Sequence, residues 1–76
     1  MSSIEIFATC DRLRKAYAAD AVRQGFSADG VYARNMYEMA LEVFIAQMVK
    51  GNTSRTFEEH VQWYLNQIEE QANGQG

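Results

Sequence analysis

The longest apolar segment of this chain runs from Val31 to Val49, and its polar positions recur with the spacing of an α-helix. On a helical projection, the polar side chains share one stripe about 100° wide: Arg34, Asn35, Glu38 and Glu42. Apolar side chains occupy most of the remaining arc: Tyr32, Met36, Tyr37, Met39, Ala40, Leu41, Val43, Phe44 and Met48. This arc is about twice as wide as the apolar stripe of an ordinary amphipathic helix. We therefore expect this helix to be the core of the fold, covered from two sides.

A first helix is predicted over residues 3–24. Ser2 and Glu5 have the spacing of a capping box, and Gly25 is a natural left-handed stop. The predicted buried face comprises Ile6, Cys10, Leu13, Tyr17 and Ala21, widened on one side by Phe7 and Ala18. The opposite face, predicted to meet solvent, carries Glu5, Arg12, Lys15, Ala19 and Arg23.

The central helix is predicted over residues 28–50, with Gly51 after its last turn. Ser27 or Asp29 is its expected N-cap, and Phe26 is expected to pack beside it. Because the link between the first two helices is short, they should form an antiparallel hairpin.

A third helix is predicted over residues 57–71, after a polar loop at 52–55. Thr56 and Glu59 form a second capping-box pattern. The predicted buried face comprises Phe57, Val61, Tyr64, Leu65, Ile68 and Ala72. Residues 73–76 are expected to be a frayed tail. The sequence thus predicts an all-α fold, a three-helix bundle that forms a single domain over residues 1–76.

The small size of the chain favours self-association. A domain of 76 residues gains little net stability from its own core. A single cysteine, Cys10, and a single histidine, His60, allow neither an internal disulfide nor a zinc-finger site. Near Phe44, the apolar residues Ile45 and Val49 interrupt the polar stripe of the central helix. Either a second copy, giving a homodimer, or the third helix should cover them.

No part of the sequence indicates a secretion signal or a membrane anchor. The N-terminal residues lack a basic stretch followed by a long apolar one. The longest uninterrupted apolar run, Val43 to Ala46, is far shorter than the ~20 residues that span a bilayer. We expect a soluble, cytoplasmic protein with no membrane partner.

The charge pattern argues against nucleic acid as the partner of this protein. The net charge is −3, without a concentrated basic stripe. In the alternative interpretation, a dimeric DNA-binding regulator, residues 25–30 would be the turn of a helix-turn-helix and the central helix would enter the major groove. That helix carries only Arg34 near its start and is too apolar for a groove.

Trp63 is the strongest candidate for a binding residue. It points about 150° away from the apolar face of the third helix, and tryptophan is a frequent hot spot of protein interfaces. His60 and Gln67 flank it one turn away, and Glu59 and Glu70 would form an acidic rim. The same residue could instead pack across a neighbouring helix. A partner protein with a basic surface would fit this patch.

The sequence contains no convincing catalytic or metal-binding constellation. Glu59 and His60 are adjacent on a helix and diverge, and Cys10 lies on the predicted buried seam, where a thiol is inert. Glu38 and Glu42 share a face but lack an accompanying histidine. We therefore expect no catalytic residue, metal or cofactor. The predicted function is a small acidic interaction module that serves as an adaptor, inhibitor or regulatory subunit.

Overall fold

The structure, a computed structural model, describes residues 2–51 and 54–74, which form three α-helices. Their bounds are α1 Ser3–Arg23, α2 Val31–Lys50 and α3 Phe57–Gly74. The predicted all-α, three-helix fold is confirmed. Asn52 and Thr53 of the predicted loop, Gln75 and Gly76 of the predicted tail, and Met1 lie outside the described residues.

Both ends of α1 are formed as predicted. The Glu5 backbone N–H donates to Ser2 Oγ at 3.2 Å, and the Ser2 N–H donates to the Glu5 carboxylate at 3.4 Å. At the other end, Gly25 adopts φ 90°, and the Phe26 N–H donates to the Ala21 carbonyl at 2.8 Å. A left-handed glycine with this bond is the usual way to satisfy the last carbonyls of a helix.

The start of α2 differs from the prediction. Neither Ser27 nor Asp29 caps the helix, because Ser27 Oγ donates to the Asp29 carboxylate at 2.7 Å instead. Gly30 is the N-cap and contributes no side-chain bond, so α2 begins at Val31 rather than at residue 28. This local bond turns the chain before the helix starts.

Two other predictions about the ends of α2 are confirmed. Phe26 stacks on Tyr32 with 4.7 Å between ring centroids and 12° between ring planes. Gly51 ends α2 in the left-handed conformation, with φ 71°.

The third helix begins at the predicted capping box and is longer than predicted. The Glu59 N–H donates to Thr56 Oγ1 at 3.1 Å, and the Thr56 N–H donates to the Glu59 carboxylate at 3.0 Å. The helix continues to Gly74, three residues beyond the predicted end, so Asn73 and Gly74 are helical.

The central element of the bundle is α1, not α2. It packs along both other helices, antiparallel to α2 and parallel to α3, whereas α2 and α3 meet over a much shorter length. The buried core draws on all three helices: Leu13, Tyr17, Ala40, Val61 and Ile68. Within α2 only Ala33, Ala40 and Phe44 are buried. Within the single chain, α3 packs along α1 and covers little of α2, so the expectation that α2 is covered from two sides stays a prediction.

The buried face of α1 is rotated relative to the prediction. Ile6, expected on this face, and Phe7, expected at its edge, are 42% and 74% exposed, whereas Thr9 and Asp20 are buried. This shift follows from the position of α1, which must present one broad face to two helices. The solvent-exposed face predicted for α1 and the apolar face predicted for α3 are both confirmed.

Candidate protein-binding surface

Trp63 lies on the outer side of α3, partly covered by its own chain. Its side chain is 43% exposed, less than expected, because the ring packs edge-on against Tyr64 with 5.0 Å between centroids. The Arg55 guanidinium carbon lies 5.7 Å from the centroid of the Trp63 ring. Such cation–π contacts at exposed sites contribute about 0.5–1 kcal/mol. The loop before α3 therefore shapes this surface, which the spacing of α3 alone did not indicate.

Two grooves flank the indole ring. One, of about 360 Å³, lies towards α2 and is lined by Val43, Gln47 and Tyr64 among others. The other, of about 330 Å³, lies towards the start of α3 and is lined by Glu59, Gln62 and Asn66. Trp63 and Arg55 line both grooves. The ring thus stands between two depressions, which is how aromatic anchors at interfaces gain contact area on more than one side.

Of the acidic rim predicted around Trp63, Glu59 lines a groove beside the ring. Hydrogen bonds from Thr56 hold the pKa of Glu59 below its usual value, and the charge of Arg55 adds to this effect. Glu70 is exposed two turns beyond Trp63 along α3, and Gln67, one turn beyond Trp63, is half-buried. We refer to Trp63, Arg55, Glu59, Gln67 and Glu70 as the Trp63 surface.

His60 does not belong to this exposed patch, which corrects the prediction. Its side chain is only 2% exposed, and its Nε2 donates to the Ala40 carbonyl of α2 at 2.9 Å. The ring packs 5.0 Å from the rings of both Phe44 and Tyr64. Its Nδ1 is buried and has no hydrogen-bond partner among the described residues. His60 therefore joins α3 to α2, and its spacing of three from Phe57 and four from Tyr64 was the overlooked signal.

A second surface lies where the start of α1 meets the end of α2. Ile45 is 58% exposed and Val49 is 82% exposed, so α3 does not cover them. Phe44, predicted to share in self-association, is only 8% exposed and packs 5.4 Å from the ring of Phe57. Phe44 is therefore a core residue and contributes only to the floor of a nearby groove.

This second surface extends onto α1, which the sequence pattern did not reveal. A groove of about 630 Å³ is lined by Ile6 of α1, by Ile45 and Met48 of α2, and by Phe57 of α3. Ile4 and Phe7, one turn apart on α1, are 81% and 74% exposed. We call the set the hairpin-end surface: Ile4, Ile6, Phe7, Ile45, Met48 and Val49.

The candidates for chemistry are spread over the three helices. Cys10 is half-buried beside Tyr37, whose pKa is raised by burial and by this thiol. Glu38 and Glu42 are exposed on α2. Within residues 2–51 and 54–74, no three histidine, cysteine or acidic side chains come together in a way that would hold a metal ion.

The basic side chains of α1 lie beside carboxylates of the same chain. Arg14 and Lys15 both pair with Asp11, and Arg23 pairs with the buried Asp20. Arg12 Nη2 lies 3.6 Å from a carboxylate oxygen of Glu58 on α3. None of the helices in the described part of the chain has the length and apolar character needed to cross a bilayer.

Comparison with protein-family models, with curated proteins and with solved structures finds no match for this chain.

Proposed function

We propose that this chain is a small, non-enzymatic interaction module that acts by binding another protein, as an adaptor, inhibitor or regulatory subunit. The observation that carries the proposal is the half-exposed Trp63 between two grooves, with an acidic rim. Tryptophan in such a position supplies large contact area at small entropic cost. Glu59 and Glu70 favour a partner with a basic surface.

Self-association is part of the same proposal. Ile45 and Val49 remain exposed in the single chain, and a homodimer would cover them. Small domains commonly gain the stability that their own core lacks in this way. The Trp63 surface lies on a different helix and stays accessible in such a dimer.

The charge arrangement supports a protein partner over DNA. All four cations of α1 already lie beside a carboxylate: Arg12, Arg14, Lys15 and Arg23. Binding to a phosphate backbone would have to compete with these pairs.

Site-specific photo-cross-linking tests the proposed binding surface. Asn66 is exposed and lines a groove beside Trp63, so a photoreactive benzoylphenylalanine at this position reports on whatever covers the ring. In cells that naturally produce the protein, we expect one discrete cross-linked protein. Trp63→Ala should abolish this adduct, whereas Gln71→Ala, at an exposed position of the same helix that lines neither groove, should not.

The identified partner is then purified and its affinity measured. Trp63→Ala should weaken binding by about 30-fold, which corresponds to a hot-spot loss of about 2 kcal/mol. The affinity should fall only gently as salt rises. An adduct that persists in Trp63→Ala, or a salt-sensitive affinity for DNA in place of a protein, would contradict the proposal.

A further inference from the structure

The hairpin-end surface concentrates large apolar side chains at one end of the molecule. Ile4, Phe7 and Val49 are 81%, 74% and 82% exposed, and Ile45 and Met48 are 58% and 57% exposed. Because α1 and α2 are antiparallel, the first turns of α1 lie beside the last turns of α2. Ile6 of α1 and Ile45 and Met48 of α2 line a common groove, and Ile4, Phe7 and Val49 lie within one turn of these residues along their own helices. Scattered surface apolar residues are ordinary, whereas a contiguous patch marks an interface.

The chain also exposes more surface than a closed monomer of its size. It has 5331 Å² of accessible surface, against about 4,700 Å² expected for a monomer of 8.7 kDa. Its radius of gyration is 13.0 Å, against about 11.4 Å for a compact domain of this length. The excess of about 600 Å² is close to the ~800 Å² that each partner buries in a stable interface.

From these observations we propose that the hairpin-end surface packs against the same surface of a second copy of this chain. The inference rests on the self-association included in the proposed function and specifies where it occurs. In a two-fold dimer, Ile45 and Val49 of one copy and Ile4 and Phe7 of the other close over the grooves. The interface is isologous, so each residue contributes twice.

The charges around the patch favour a second copy over a strongly basic partner. Glu5 and Glu58 stand at the groove, while Arg12 lies beside Glu58 and Lys50 follows Val49. This rim carries both signs, so two identical rims can meet without net repulsion. A surface suited to a basic partner would carry an excess of acidic groups.

The internal core gives the energetic reason for such a dimer. In residues 2–51 and 54–74, the largest side chains with no exposed area are those of Leu13 and Val61. Chains of this size seldom obtain more than about 3–5 kcal/mol from a single core. Covering six further apolar side chains in each copy adds to the burial that the monomer lacks.

The mass in solution, measured by light scattering over a dilution series, tests this interface. We expect about twice the chain mass of 8.7 kDa at high concentration. Ile45→Glu should weaken the dimer by about 100-fold, because each copy would bury an unpaired charge. Ala46→Glu is the matched control, since it adds the same charge at the next, exposed position of α2 and should change the dimer affinity by less than about threefold.

Phe7→Glu provides a second, independent variant on α1. Both Ile45 and Phe7 are more than half exposed, so circular dichroism should show intact helices in each variant. Amide chemical shifts should change on dilution at residues 4–7 and 45–49 and remain constant at 62–70. A chain that stays monomeric up to about 1 mM, or a dimer that neither glutamate disrupts, would overturn the inference.

Trp63→Ala separates this inference from the partner-binding proposal. We expect it to dimerise as the parent chain does while losing its cross-link, and Ile45→Glu to retain the cross-link as a monomer. A dimer disrupted by Trp63→Ala and not by Ile45→Glu would place the interface on α3 and overturn the inference alone.

Discussion

Asp20 is a carboxylate that lies almost fully buried where α1 meets the start of α2. It is 4% exposed and accepts hydrogen bonds from Gln24 Nε2 at 2.8 Å, Arg23 Nη2 at 3.2 Å and the Tyr32 hydroxyl at 3.3 Å. A buried charge is tolerated when several donors surround it. This small network fixes the last turn of α1 to the first turn of α2.

Replacing Asp20 should therefore destabilise the fold. Asp20→Ala leaves three donors without their common acceptor, and we expect a loss of about 1–3 kcal/mol in the free energy of unfolding. The half-exposed Asp11, which pairs with two cations of the same helix, supplies the matched control. Asp11→Ala should cost much less than Asp20→Ala, because water already screens a surface ion pair. Urea unfolding measures both, and equal losses would refute the role of the Asp20 network.

At the residue scale, the hydrophobic pattern predicted the buried apolar residues better than the buried polar residues. Leu13, Tyr17 and Val61 were placed correctly, because burial of apolar side chains follows helical spacing. Asp20 and His60 were missed, because a polar side chain is buried only when donors or acceptors from another helix meet it. Those partners are brought close by helix packing, so the spacing of apolar residues along the sequence does not reveal them.

The starts of α1 and α3 are the places where sequence and structure agree most closely. Ser2 with Glu5, and Thr56 with Glu59, form reciprocal hydrogen bonds at the starts of α1 and α3. Each pair satisfies backbone donors that have no partner within the helix. Both boundaries follow from local chemistry that needs no tertiary contact.

Loss of the Thr56 cap should be measurable in thermal unfolding. Thr56→Ala removes the acceptor for the Glu59 N–H, and we expect a cost of about 1 kcal/mol. In a domain of this size, that cost lowers the melting temperature by about 4–8 °C. Thr56→Ser retains the hydroxyl and should lie within about 2 °C of the parent chain. A melting temperature unchanged in Thr56→Ala would show that α3 does not depend on this cap.

The roles of the helices could not be predicted as well as their bounds. The apolar character of α2 indicated a central helix, but α1 occupies the centre because α3 packs along it. Excess apolar surface in a sequence shows that a face must be covered and does not show by what. Ile45 and Val49 of α2 are the example: both are apolar and exposed, and the sequence does not show whether a helix of the same chain or another molecule covers them.

On the scale of the whole molecule, Tyr17 occupies the centre of the bundle. Burial raises the pKa of its phenol to about 12, and Tyr64 on α3 and Asp20 add to this effect. The free tyrosine ionises near pH 10. The neutral phenol therefore stabilises the folded state below pH 10, and this contribution is lost as the pH rises from 10 through 12.

Alkaline unfolding should expose this dependence. Tyr17→Phe has no proton to lose at this position, so its free energy of unfolding should decline less steeply than that of the parent chain between about pH 10 and 12. Denaturant titrations at several pH values in this window measure the two slopes. Parallel slopes would mean that the Tyr17 phenol ionises as readily in the folded state as in the unfolded chain.

The shared direction of α1 and α3 also decides where a fusion can be attached. Both helices start at the end of the bundle where α2 finishes, as the contact between Arg12 and Glu58 shows. A tag joined before Ser2 would lie next to Ile4 and Phe7. A tag joined after α3 would lie at the opposite end of the bundle. An amino-terminal affinity tag or fluorescent protein would thus obstruct the proposed pairing of two copies. A carboxyl-terminal label should leave the proposed interface open.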